Sequence, residues 1–162
     1  MGSKPYIVLL GDVGTGKSTI FEKLTGEKGR SSAASQSATL AEEIFEADDG
    51  SLLIADTPGS NSMNNQFKHN LSIAFAMKNT PVTCVLIVAK ADIRIDNVIQ
   101  QITKYAQGFI PENFPIELVS VCVTHMDLVT WTEDDMLEHL SNELGIETAV
   151  FSSLNTSGET LK

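Results

Sequence analysis

The sequence predicts an α/β fold: a mostly parallel six-stranded sheet with one antiparallel edge strand and helices on both faces. Three observations predict it. Short apolar, β-branched runs alternate along the chain with segments of helical period. The first such run leads straight into a glycine-rich turn and then a helix. Asp48-Asp49-Gly50 joins two short strands too closely for a crossover helix, so that pair is a hairpin and supplies the antiparallel edge.

Residues 5–10 are the first strand, and residues 18–25 are a short helix with Ile20, Phe21 and Leu24 on one face, closed by Gly26. Residues 29–39 are small and polar without periodicity, which predicts a loop, and strands at 42–47 and 52–55 follow as the hairpin. A second irregular loop after Asp56 leads to a helix over 66–78, with Phe67, Leu71, Ala74 and Phe75 at helical spacing and a stop before Pro81. Strand 82–89, helix 96–109 (Val98, Ile102, Tyr105, Phe109) and strand 116–123 continue the alternation. Thr132 is placed to cap a further helix, with acids at 133–135 in its first turn and Trp131 set to staple onto Met136. The last strand is 148–151.

A chain of 162 residues is the size of one domain, spanning 1–162, and 42% apolar with 20% charged residues is ordinary for a packed globular protein. No apolar stretch is long enough to span a bilayer, no signal peptide is readable, and Tyr6 breaks the myristoylation pattern that Met1-Gly2 begins. The net charge of −10 argues against nucleic acid or anionic lipid as a partner, so any phosphate must be held locally. Cys84 and Cys122 lie in apolar runs and read as buried thiols of a reducing, cytoplasmic setting. Arginine occurs only at 30 and 94.

The chemistry is concentrated in four loops. Gly11-Asp12-Val13-Gly14-Thr15-Gly16-Lys17-Ser18 satisfies G-x-x-x-x-G-K-[ST], a pattern expected by chance in a chain of this length on the order of 1 time in 200. It lies between a strand and a helix, where backbone N–H groups from Gly11 to Thr19 can surround a β-phosphate, Lys17 can bridge the β- and γ-phosphates, and Ser18 can ligate Mg²⁺. Asp56-Thr57-Pro58-Gly59 ends the third strand, placing a carboxylate to hold the metal through water and the Gly59 amide to reach a γ-phosphate. Two segments compete to read the base. Lys90-Ala91-Asp92 lies 36 residues after Asp56, too close for the far side of the pocket, whereas Thr124-His125-Met126-Asp127 places its carboxylate 71 residues on, after a helix, strand, helix and strand. Asp127 is therefore the expected acceptor for the N1–H and N2–H pair of guanine, which adenine lacks, with His125 against the base plane. Lys90 and Asp92 are then solvated. Ser152-Ser153, 25 residues beyond Asp127, supplies a backbone N–H for guanine O6. An ATPase or small-molecule kinase is disfavoured, since no Arg-rich lid exists.

These loops in this order resemble the G domains of the Ras-like GTPase superclass. Ser35-Gln36-Ser37-Ala38-Thr39, the Asp56–Gly59 loop and a helix starting near Asp96 are similar to one branch, the AIG-type (immunity-associated nucleotide-binding, GIMAP-like) GTPases, with septins and chloroplast import receptor GTPases as neighbours. The resemblance implies a three-layer P-loop NTPase fold that hydrolyses GTP to GDP with Mg²⁺ and switches conformation. It implies that Thr39 contacts Mg²⁺ and the γ-phosphate, and that two copies face each other across their nucleotides, a geometry in which a residue near Arg94 could cross to the partner's site; the alternatives are an Arg94 that is solvated or paired with Asp92 or Asp96, and an Arg30 that acts within its own subunit or is solvated. Two features depart from the pattern: Ser60 stands where small Ras-like GTPases carry a water-orienting Gln, and the chain stops at Lys162 before the final helix such a domain carries. Slow intrinsic turnover is expected. The alternative is a scaffold module that binds GTP or GDP without hydrolysis.

Overall fold

The computed structural model describes residues 4–27, 43–57, 74, 76 and 81–153. Its six strands are β1 (Tyr6–Leu10), β2 (Glu43–Glu46), β3 (Leu53–Asp56), β4 (Cys84–Lys90), β5 (Val119–Thr124) and β6 (Ala149–Phe151), in the spatial order β2-β3-β1-β4-β5-β6. Every pairing is parallel except β2 with β3, where Ile44 faces Ala55 and Phe45 faces Ile54. The helices are α1 (Lys17–Thr25), α2 (Ile95–Gly108) and α3 (Glu133–Leu144), and Ala74 and Ala76 are also helical.

Alternation along β1 divides the interior into two layers. Leu9 packs with Ile20, Phe21 and Leu24 of α1 and with Ile54 and Val88, while Val8 and Leu10 point the other way, into a cluster with Val98 and Ile102 of α2 and Met136 and Leu140 of α3. The three layers are thus a direct result of a period of two on the strands meeting a period near 3.6 on the helices. The central strand β4 carries the longest buried run, Val85 to Ala89.

Several boundaries differ from the sequence expectation. Residues 116–118 form a 3-10 turn rather than the start of a strand, because Pro115 opens a turn in which Leu118 N donates to the Pro115 carbonyl. Ala74, expected on the buried face of its helix, is exposed, whereas Ala76 is fully buried. The other residues of that expected helix, the 29–39 loop with Arg30 and Thr39, and the segment from Pro58 through Ser60 lie outside the described residues. Trp131 does pack on the core cluster that holds Met136, and its Nε1 also donates to the Asp92 carbonyl at 2.8 Å. Cys122 is buried as expected but Cys84 is only half-buried, and both are free thiols. Among the described residues no helix is long and apolar enough to cross a membrane.

Candidate functional site

The glycine-rich turn lies where β1 ends and α1 begins, at the C-terminal edge of the parallel strands. Gly11 has φ of 152°, and a Cβ there would sit 2.3 Å from the Val88 carbonyl oxygen, so only glycine lets the loop pass this close to β4. Gly16 has φ of 95° and turns the chain into α1 with a left-handed conformation. Thr15 locks the bend by donating from Oγ1 to the Asp12 carbonyl at 2.9 Å.

Inside this loop is Lys17, only 6% exposed, whose Nζ donates to the Gly11 carbonyl at 2.6 Å and the Asp12 carbonyl at 2.8 Å. Burial lowers its pKa to about 8, against the opposing pull of the Asp56 and then the Asp12 carboxylates. A buried ammonium ringed by backbone and held to two carbonyls can seat an anion, since a phosphate would compensate a charge that burial has stripped of its hydration. Ser18 is half-buried in the first turn of α1, next to the exposed Thr19. Asp56 closes β3, in register with Leu9. The following Thr57 is buried and donates from Oγ1 to the Leu9 carbonyl, which pins the start of the second loop to β1. Thr39 and Gly59, both expected at the γ-phosphate, lie outside the described residues.

The third loop joins the first through a contact that the sequence pattern did not disclose. Thr124 is buried and its hydroxyl donates to the Thr15 carbonyl at 2.7 Å, tying the end of β5 to the phosphate loop. With that proton so placed, the 2.8 Å contact between Thr124 Oγ1 and His125 Nδ1 requires Nδ1 to be the protonated ring nitrogen. His125 has φ of 61°, the one left-handed non-glycine residue among those described. This sharp turn exposes Asp127 in a 3-10 turn over Met126–Leu128.

The fourth loop is fastened to the third, since Met126 N donates to the Ser152 carbonyl at 3.2 Å. Ser152 N donates to Val123 O at 2.9 Å, so the Ser152 amide belongs to the sheet and a donor to guanine O6 from this loop has to come from another residue. Ser153 follows, half-buried.

Asp92, the rejected base reader, does not stand merely solvated. Its Oδ1 accepts from Arg94 N at 3.0 Å and Asn97 Nδ2 at 2.9 Å, capping the start of α2 and holding its carboxyl below the usual range. Lys90 is exposed, with its backbone bound in both directions to the Gln101 amide. Arg94 is exposed at the N-terminus of α2, on the same edge of the sheet as the four loops. A shallow cavity of about 350 Å³, lined by Asp12, Val13, Thr15, Lys90, Asp92 and Gln101, separates the phosphate loop from this corner. Lys17 is not among the residues that line it. The Asp12 carboxylate is held by Lys104 and Tyr105 of α2, a contact also unread in the sequence because Tyr105 fits the apolar period of its helix.

No curated protein matches the chain. Solved structures of similar fold include NFeoB from S. thermophilus bound to GDP·AlF4⁻ and K⁺, with 19% identity over 92% of this chain and 55% of that one and a TM-score of 0.60. A second is mGMPPNP-bound NFeoB from S. thermophilus (20% identity, 96% of this chain, 58% of that one, TM-score 0.60). A third is a GDP-bound mutant of the S. thermophilus FeoB G-domain (18% identity, 92% of this chain, 54% of that one, TM-score 0.57). The chain therefore spans little more than half the length of these structures, and the likeness is one of fold. A family model described as 50S ribosome-binding GTPase matches residues 6–122, from the first strand into the fifth, and on that match the chain belongs to this P-loop GTPase family.

Proposed function

We propose that this chain is a single G domain, residues 1–162, that binds guanine nucleotide with Mg²⁺ in the cytoplasm, hydrolyses GTP slowly to GDP and changes conformation between the two states. The observation that carries the reading is the buried Lys17 ammonium enclosed by the Gly11–Ser18 backbone, with Thr124 fastening the base-side loop to it. In this reading the backbone of Gly11, Asp12, Gly14, Thr15, Gly16, Lys17, Ser18 and Thr19 surrounds the phosphates and Lys17 exchanges its two carbonyl partners for β- and γ-oxygens. Asp127 accepts from the guanine edge, His125 flanks the base, and Ser153 or a neighbour donates to O6.

The residues fit a Mg²⁺–nucleotide complex. Ser18 opens α1, and the Asp56 carboxylate lies near enough for its charge to act on Lys17. Ser18, Thr39 and Asp56 would hold the ion, which supplies neutralisation of charge on the β- and γ-phosphates. Lys17 and the Gly59 amide stabilise the same charge from the protein side. Ser60 is too short to orient an attacking water, which supports a slow isolated subunit. The exposure of Arg94 at the start of α2 supports a role toward a facing copy, which the AIG-type resemblance implies. A second reading, a scaffold that holds GTP or GDP without turnover, is favoured by the same Ser60.

The test is a nucleotide titration. Wild type should bind GDP and GTP and not ATP, and Lys17→Ala should lose affinity by several kcal/mol, because a charge-assisted contact in a dry site is removed. Equal binding of ATP, or an unaffected Lys17→Ala protein, would refute the proposal. Single-turnover phosphate release then separates the hydrolase from the scaffold.

A further inference from the structure

The two halves of Asp12 face opposite ways. Its carbonyl accepts from Lys17 Nζ at 2.8 Å and from Thr15 Oγ1 at 2.9 Å, inside the phosphate loop. Its carboxylate Oδ1 points outward and accepts from Lys104 Nζ and Tyr105 OH of α2, each at 2.7 Å. Tyr105 is fully packed at 1% exposure, and its ring stacks on Phe109 at 5.4 Å between centroids, so the hydroxyl is aimed by the core and not by solvent. Lys104 is 40% exposed and the Asp12 side chain 16%.

A carboxylate is an awkward group in a loop that has to receive a polyanion. The Asp12 charge is felt as far as Lys17, where it opposes the effect of burial. The same charge would repel a phosphate placed at Lys17.

We infer that Lys104 and Tyr105 are positioning residues for the phosphate loop: they clamp the Asp12 carboxylate against α2 and compensate its charge, so that the loop offers backbone N–H groups and Lys17 to the phosphates. The inference rests on the nucleotide reading above. It also makes α2 a part of the phosphate site, since the two donors are consecutive residues near its C-terminal end while its N-terminus carries Arg94.

The experiment measures the affinity of the full chain for GDP and for GMPPNP, with melting temperature recorded for every variant. Lys104→Ala should weaken both nucleotides roughly three- to tenfold in about 50 mM salt, GMPPNP more than GDP because it carries more charge. The loss should shrink below about twofold in 500 mM salt. Lys104→Arg should restore binding, and Tyr105→Phe, which keeps the ring packing, should lose part of it. In the Asp12→Asn background Lys104→Ala should change affinity less than twofold, because no charge is left to compensate. A loss that persists in that background would mean that Lys104 acts on the nucleotide directly, and would overturn the clamp. So would a Lys104→Ala protein that binds as wild type does, or losses that follow melting temperature and ignore salt. If wild type binds neither nucleotide, the nucleotide reading itself fails and the clamp falls with it.

Discussion

Asp127 and Cys122 mark the two extremes of what one side chain can decide here. Asp127 is exposed in the turn that His125 creates, with both oxygens available as acceptors for a base. Asp127→Asn replaces one acceptor by a donor, so preference should move from guanine to xanthine nucleotides, by tenfold or more in the ratio of affinities; competition between GTP and XTP on the purified variant measures it. Cys122 is buried in β5, where burial pushes its thiol up to about 12. In the unfolded chain it ionises near 9, so between about pH 9 and 12 the unfolded state loses a proton that the folded state keeps. The stability this thiol contributes is complete below pH 9 and is lost as pH rises toward 12. Urea midpoints should fall between pH 8.5 and 10.5 by more in wild type than in Cys122→Val. In the folded protein iodoacetamide should modify the half-buried Cys84 before Cys122, since a thiolate must form and be reached.

At the scale of elements, α3 shows a helix whose start is written locally. Thr132 accepts from Asp135 N at 3.2 Å while Asp135 Oδ2 accepts from Thr132 N at 2.7 Å, a reciprocal cap. Thr132→Ala should cost about 1 kcal/mol, read as a shift in urea midpoint with unchanged slope. The same bonds hold the Asp135 carboxyl below its usual range, so the stabilisation it brings is present above its unfolded value near 3.8 and disappears as pH falls through the lower folded value. The start of α2 is different. Asp92 caps it from two residues before Arg94, and Trp131 from the following loop donates to the Asp92 carbonyl, so this end of the helix depends on a neighbour distant in sequence.

For the whole molecule, the exposed position of Arg94 on the loop-bearing edge bears on whether activity arises between copies. If two copies face each other across their nucleotides, GTP turnover per subunit should rise with protein concentration, and Arg94→Ala should flatten that rise toward the dilute rate, a loss of about 10³ to 10⁵ where an arginine stabilises the transferring phosphoryl group. Turnover flat with concentration and unchanged by the substitution would exclude this route. Nucleotide should also stabilise the whole fold by mass action, about 2.7 kcal/mol at 100 times Kd, visible as a higher melting temperature with GDP or GTP.

The order of elements, the hairpin at the sheet edge, the phosphate loop and the Thr132 cap were legible in the sequence, because each is specified by residues within a few positions of one another. The Gly11–Ser18 pattern is readable for the same reason: the backbone of one continuous turn builds it. What the tertiary structure alone decided are the contacts between segments far apart in the chain. Thr124 bound to the Thr15 carbonyl, the Ser152 amide committed to Val123, Trp131 on Asp92, and Asp12 held by Lys104 and Tyr105 all arise from the parallel sheet, which brings the C-terminal ends of its strands to one edge. Periodicity assigns Tyr105 to the core face and is correct about its ring. It says nothing of the hydroxyl, whose partner is chosen by the packing of α2 beside the loop.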